Sequence, residues 1–347
     1  MSQTCRVGYL LFFCLLLGSD LFAAEPIRIV GSSTVYTFAK KVSENFSTKT
    51  GYPLPQIVPT GSGGGLKEFC KGSGDAYPDI TNASRRINRS EFDLCHDHGV
   101  TGIIEVKIGY DGIVVAGSSA VPAPQLTLRD LYLALAAQVP APDGTEQLVD
   151  NPYISWNQIR PELSERPIEV LGPPPTSGTR DAFSELALEK ACQQYPWIKS
   201  IKKRDKHRFR KICHTLRTDG HFIEAGERDD LIVKNLEAAP KATGIFGYNF
   251  LAQDAEKLSG ATIEGVKPEV ASIASGAYPL SRPLYFYVKA ERIDQVPGLA
   301  EYLLEFTSEE AWGPGGYLAA LGLVTMPDKE RDYYRQVVVQ GSLLSLD

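Results

Sequence analysis

Apolar residues near the start of the chain change period several times, and each change marks an element. Ile27, Ile29 and Val30 give a short strand that breaks at Gly31-Ser32-Ser33-Thr34. Val35, Phe38, Ala39, Val42 and Phe46 then recur at intervals of three and four, the spacing of one helix face, and Gly51 closes that helix. Residues 54–59 read as a second strand, followed by Thr60-Gly61-Ser62-Gly63-Gly64-Gly65 and a helix from about Leu66. A third strand at Asp79-Ile80 leads through Ala83-Ser84-Arg85 to a helix from Ser90. Residues 103–108 and 113–116 read as two strands separated by the polar Gly109-Tyr110-Asp111-Gly112, a place where the chain could cross between domains.

The second half repeats the alternation. Thr127 caps a helix over 128–137, and a strand at 168–171 runs into Gly172-Pro173-Pro174-Pro175-Thr176-Ser177-Gly178-Thr179-Arg180. The helix after it carries Ala182, Phe183, Leu186, Ala187 and Ala191 on one side. A helix at 229–238, a strand at 244–248 and a second candidate crossover strand at 278–288 follow. The chain then turns helical over 298–306, breaks at Gly313-Pro314-Gly315-Gly316 and ends with a shorter helix near Arg331. Strands alternating with helices predict an α/β architecture.

Three of the strand-to-helix turns carry small hydroxyl residues or glycines: Ser32-Ser33-Thr34, Ser62-Gly63-Gly64 and Ser177-Gly178-Thr179. The first N–H groups of a helix have no partner within it, so such turns receive anions. N-capping alone accounts for any one of them. The glycine turn lacks the Gly-Lys-Ser/Thr ending of a nucleotide-binding loop.

Composition narrows the class. At 347 residues the chain is long enough for about two domains. A net charge of −6 argues against a general nucleic-acid binder and makes any anion site a local feature. The basic run from Lys199 to Lys211 reads as a solvated helix face. Arg6, the apolar residues 9–17 and Ala23-Ala24 form an export signal, with cleavage expected near Ala24. The mature chain then keeps Cys70, Cys95, Cys192 and Cys213. Four cysteines allow three pairings. The local one, Cys70 with Cys95 and Cys192 with Cys213, would staple each half, at about 3 kcal/mol per loop. No CxxC spacing occurs and the five histidines are scattered, so neither a metal nor another cofactor is expected.

The ordered set Gly31-Ser32-Ser33-Thr34-Val35-Tyr36, Gly61-Ser62-Gly63-Gly64-Gly65-Leu66-Lys67, Ala83-Ser84-Arg85, Ile108-Gly109-Tyr110-Asp111-Gly112, Ser177-Gly178-Thr179-Arg180, Gly244-Ile245-Phe246-Gly247-Tyr248 and Tyr278-Pro279-Leu280-Ser281-Arg282-Pro283-Leu284 resembles the periplasmic phosphate-binding proteins of high-affinity phosphate ABC transporters, the PstS family. The resemblance implies a type II periplasmic-binding-protein fold: two α/β lobes joined by two crossover strands, with a ligand cleft between them. Lobe one would comprise residues 25–112 and 282–347, and lobe two residues 113–281, after a signal peptide at 1–24. It implies phosphate contacts at Ser33, Thr34, Ser62, Gly63, Ser177, Gly178 and Thr179. Where some members carry an Asp this chain has Arg85, and Pro173 and Pro175 stand where they carry an Arg and an Asp. Arg85 and Arg180 are therefore expected to supply the positive charge. Asp111, with Asp181 second, is expected to accept the phosphate proton.

The function so implied is non-catalytic: capture of inorganic phosphate in the periplasm by a monomer, and delivery to a membrane permease. Binding of sulfate, another oxyanion or an organic phosphate is the alternative. A phosphatase using Ser177 would need an adjacent base that no motif supplies.

Overall fold

The computed structural model describes residues 25–226 and 229–346; the expected export signal lies outside them. Three strand–helix pairs open the chain: β1 (Arg28–Gly31) and α1 (Ser33–Thr50), β2 (Gln56–Pro59) and α2 (Ser62–Phe69), β3 (Ile80–Ala83) and α3 (Arg89–Asp97). The long β4 (Ile103–Ser118) and α4 (Leu128–Leu135) follow, then β5 (Val170–Gly172) and α5 (Gly178–Phe183), which continues as a π-helical stretch, Ser184–Glu189, and a last turn, Lys190–Cys192. Next come α6 (Pro196–Arg204), α7 (Lys206–His214), β6 (Phe222–Glu224), α8 (Asp229–Ala238), β7 (Thr243–Gly247) and β8 (Leu258–Gly260). β9 (Ser281–Lys289), α9 (Leu299–Phe306) and α10 (Asp328–Gln340) complete the chain.

The strands form a continuous ladder in the order β2-β1-β3-β9-β4-β7-β5-β6, with β8 also on β4. β1 is parallel to β2 and β3, while β9 is antiparallel to both β3 and β4. The first part of β4, Ile103 to Gly112, pairs with β9, and the second part, from Ile113, pairs with β7. The polar Gly109-Tyr110-Asp111-Gly112 is therefore no interruption: one strand of 16 residues runs through it. Its glycines answer to packing. A Cβ on Gly109 would lie 2.7 Å from a Leu323 methyl, and one on Gly112 would lie 2.8 Å from Ile273 Cδ1. The return crossing is short. Leu280 accepts a hydrogen bond from Ile113 N–H at 2.9 Å, and β9 starts at the next residue.

The helices pack on this ladder through the faces their spacing predicts. Val35, Phe38, Ala39, Val42 and Phe46 of α1 are all buried, and Gly51 ends the helix in the left-handed conformation at φ 78°. One apolar cluster joins α1, β4 and α9; a second packs Leu66, Phe69 and the Cys70–Cys95 disulfide beneath Tyr285 and Tyr287. A third lies around Ile232, Leu236 and Phe246. The other disulfide is Cys192–Cys213, so the cysteines take the local pairing. It ties the end of the α5 continuation to α7.

Candidate functional site

α1 and α5 aim their N-termini at each other. Ser32 caps α1, its hydroxyl accepting from Val35 N–H, which leaves Ser33 and Thr34 in the first turn. Ser177 caps α5, its hydroxyl accepting from Thr179 N–H at 3.2 Å. The two ends nearly touch: a Cβ on Gly178 would lie 3.2 Å from Thr34 Cα. Only glycine allows that approach without displacing the α1 backbone. Around this junction lies a cavity of about 580 Å³, lined by Ser33, Thr34, Asp111, Ser177, Gly178 and Thr179 among others.

A buried arginine closes one side. Arg282, on the first residues of β9, is 7% exposed. Its guanidinium donates to Thr34 Oγ1 at 2.7 Å, to Glu185 Oε2 at 2.7 Å and to Asp111 Oδ2 at 3.3 Å. The ladder causes this meeting, because Arg282 stands opposite Asp111 in the β4–β9 register. Burial pushes the Asp111 carboxyl above its ordinary range, and the Arg282 charge pulls it part of the way back.

The remaining expected residues sit elsewhere. Ser62, Gly63 and Arg85 line an adjoining cavity of about 860 Å³, with Arg282 in the wall. There Ser62 Oγ accepts from Ser84 N–H at 3.0 Å, and Arg85 is held by both carboxylate oxygens of Glu91, at 2.6 and 2.8 Å. The glycines expected to form a loop before the helix are its first turn, since α2 begins at Ser62. Packing explains this: a Cβ on Gly65 would lie 2.4 Å from Gly31 Cα.

Arg180 lines neither cavity. It donates to the Pro173 carbonyl at 2.9 Å, and its guanidinium lies 4.7 Å over the Phe222 ring. Asp181 is exposed and also lines neither cavity. The guanidinium that lies at the junction itself is that of Arg282. That residue was visible only as part of the Tyr278–Leu284 motif. Its partner Asp111 lies 171 positions away, and nothing in local spacing joins them.

Asn249 was also missed. It lines the smaller cavity, and both its side-chain nitrogen and oxygen are buried without a hydrogen-bond partner. A buried amide in that state costs about 1–3 kcal/mol, which a polar ligand would recover.

The arrangement suits a compact oxyanion: helix N–H groups, hydroxyls and one guanidinium converge, and a carboxyl is available to a protonated oxygen. No histidine lines either cavity, and the described residues hold no cluster of three or more metal-ligating side chains.

Known proteins share this framework. A protein of Planctomyces limnophilus described as a possible phosphate binding protein superposes with a TM-score of 0.72 at 25% identity, covering 92% of this chain and 99% of that one. An ABC-type phosphate transport receptor from Vibrio cholerae gives 0.56 at 18% identity, over 87% of this chain and all of the other, a likeness of fold. By sequence, the protein SphX of a Synechocystis strain is 28% identical over 81% of this chain and 73% of its own length. The phosphate-binding protein PstS of Staphylococcus saprophyticus is 27% identical over 88% of this chain and 81% of its own. The PBP superfamily domain matches residues 18–310. With that match spanning most of its length, and with β4 carrying one sheet into the next, the chain belongs to the PBP superfamily and has its mixed α/β binding-protein fold.

Proposed function

We propose that this protein binds inorganic phosphate reversibly in the periplasm and delivers it to the membrane permease of an ABC transporter. The observation that carries the reading is Arg282: a buried cation at the meeting point of two helix N-termini, in contact with Thr34 and Asp111. Relatives named for phosphate binding over most of this chain's length support the choice of anion. In this reading Ser33, Thr34, Ser177, Gly178 and Thr179 donate hydrogen bonds to phosphate oxygens. Arg282 neutralises charge, and Asp111 accepts the proton that phosphate carries and sulfate lacks. Ser62, Gly63 and Arg85 approach from the adjoining cavity when the halves close. The hinge lies at Gly112 and Leu280–Ser281, dividing residues 25–112 with 282–347 from residues 113–281. Removal of residues 1–24 accompanies export.

A binding role also follows from how Ser177 is used. Its hydroxyl accepts the capping hydrogen bond of α5, and no histidine stands in the cavity to activate it. Calorimetric titration of the mature protein with phosphate and with sulfate tests the proposal. Phosphate should bind far more tightly; equal affinities would reduce the claim to a general oxyanion binder. Turnover of a chromogenic phosphate ester, lost in Ser177→Ala, would replace it with hydrolysis.

A further inference from the structure

The basic run from Lys199 to Lys211 is left unused by the reading above. It folds as a helical hairpin, α6 and α7, with Asp205 at the turn accepting from Arg208 N–H at 2.8 Å. The Cys192–Cys213 disulfide anchors its second arm to the α5 continuation, so the hairpin's aim is set by a covalent tie. Three of its cations, Lys202, Lys206 and Arg210, line the larger cavity, facing Gly63 and Arg85 from the other half of the molecule.

The charge balance of that cavity opposes the balance of the whole chain. Five cationic side chains line it against three carboxylates, while the chain carries −6. The carboxylates are already engaged: Glu91 with Arg85, Glu189 with Lys202 and Glu185 with Arg282. Lys206 and Arg210 are exposed, four residues apart on one face of α7, and stand in no salt bridge within 4 Å among the described residues, with Asp181 near enough to feel the Arg210 charge. A helix face that served only solubility would have no reason to turn its unpaired charge into a cleft.

We infer that the larger cavity is an outer capture site for the oxyanion, with Lys206 and Arg210 as its electrostatic collectors. Arg282 is the wall it shares with the inner cavity, since it lines the larger one and donates to Thr34 in the smaller. A concave wall with a net positive balance focuses its field and raises the local concentration of anions. In an acidic protein this local field decides whether anions are drawn in or turned away. The inference rests on the phosphate reading of the inner site and adds its route of entry.

Association of inorganic phosphate, followed by tryptophan fluorescence after rapid mixing at increasing salt, tests it. For the wild-type chain the association rate should fall as salt screens the collectors. In Lys206→Ala/Arg210→Ala the rate at low salt should drop about tenfold and lose its salt dependence, with dissociation unchanged. Unaltered association and salt dependence in the double variant would overturn the capture site alone. A change confined to dissociation would do the same, by placing these cations in the inner site. No phosphate binding by the wild-type chain would overturn the phosphate reading itself.

Discussion

Arg282 is committed to three partners at the seam between the halves, and removing it strands more than its own charge. Asp111 and Thr34 would both lose a donor in a site of low exposure. Charge-assisted hydrogen bonds contribute about 1.5–3 kcal/mol each. Arg282→Met is therefore expected to weaken phosphate binding by at least that much, on the order of tenfold to a hundredfold. Arg180→Met should leave affinity nearly unchanged and lower stability instead, because Arg180 packs over Phe222 and holds the Pro173 carbonyl. Calorimetry and thermal unfolding on both variants separate the two roles; a large affinity loss in Arg180→Met would return that residue to the site. Asp111→Asn tests the proton acceptor. Phosphate-over-sulfate discrimination should narrow, and if it persists in full the acceptor is the unpaired Asn249 oxygen or another group.

Elements whose apolar spacing agrees with their final packing were legible in the sequence, and α1 is the plainest, its five apolar positions all buried and Ser32 and Gly51 at its ends. The α2 start and the middle of β4 were not, for one shared reason. Glycine weakens both helix and strand locally, so a glycine-rich stretch reads as a loop. Gly65 and Gly109 are instead places where another element comes too close for a side chain. Gly65→Ala should accordingly cost about 1–3 kcal/mol or more through displacement of β1, seen as a lower melting temperature, although alanine is the better helix former. The basic hairpin hides another element-level device. Glu189, on the π-helical stretch, meets His214 at 2.7 Å and Lys202 at 2.8 Å. The His214 hydrogen bond, with Lys202 adding to it, brings the carboxyl down to about 2. A carboxyl held below its unfolded value stabilises the fold fully above about pH 4.5, and that contribution fades as pH falls towards 2. Melting temperature should thus fall more steeply over this window in the wild-type protein than in Glu189→Gln.

The chain leaves the first half through β4 and returns through Leu280–Ser281, and β9 then inserts between β3 and β4. The first sheet is incomplete until the last seventy or so residues of the chain have arrived, because β9 fills the place between β3 and β4. This connectivity was expected from the ordered motifs. The resemblance also set Thr34 and Gly178 in one cleft; what it did not supply is the part played by Arg282, which stands opposite Asp111 only through the β4–β9 register. An anion held in that cleft would bridge both halves and bind only when they are folded and adjacent. Mass action then sets the size of the effect: phosphate at a hundred times its dissociation constant should add about 2.7 kcal/mol of stability. Calorimetric unfolding should show one transition that moves up as a whole with phosphate, and much less with equal sulfate. In Arg282→Met the upward shift should shrink while the single transition remains. Two transitions, only one of them responding to phosphate, would mean that the ligand sits within one half and not at the seam.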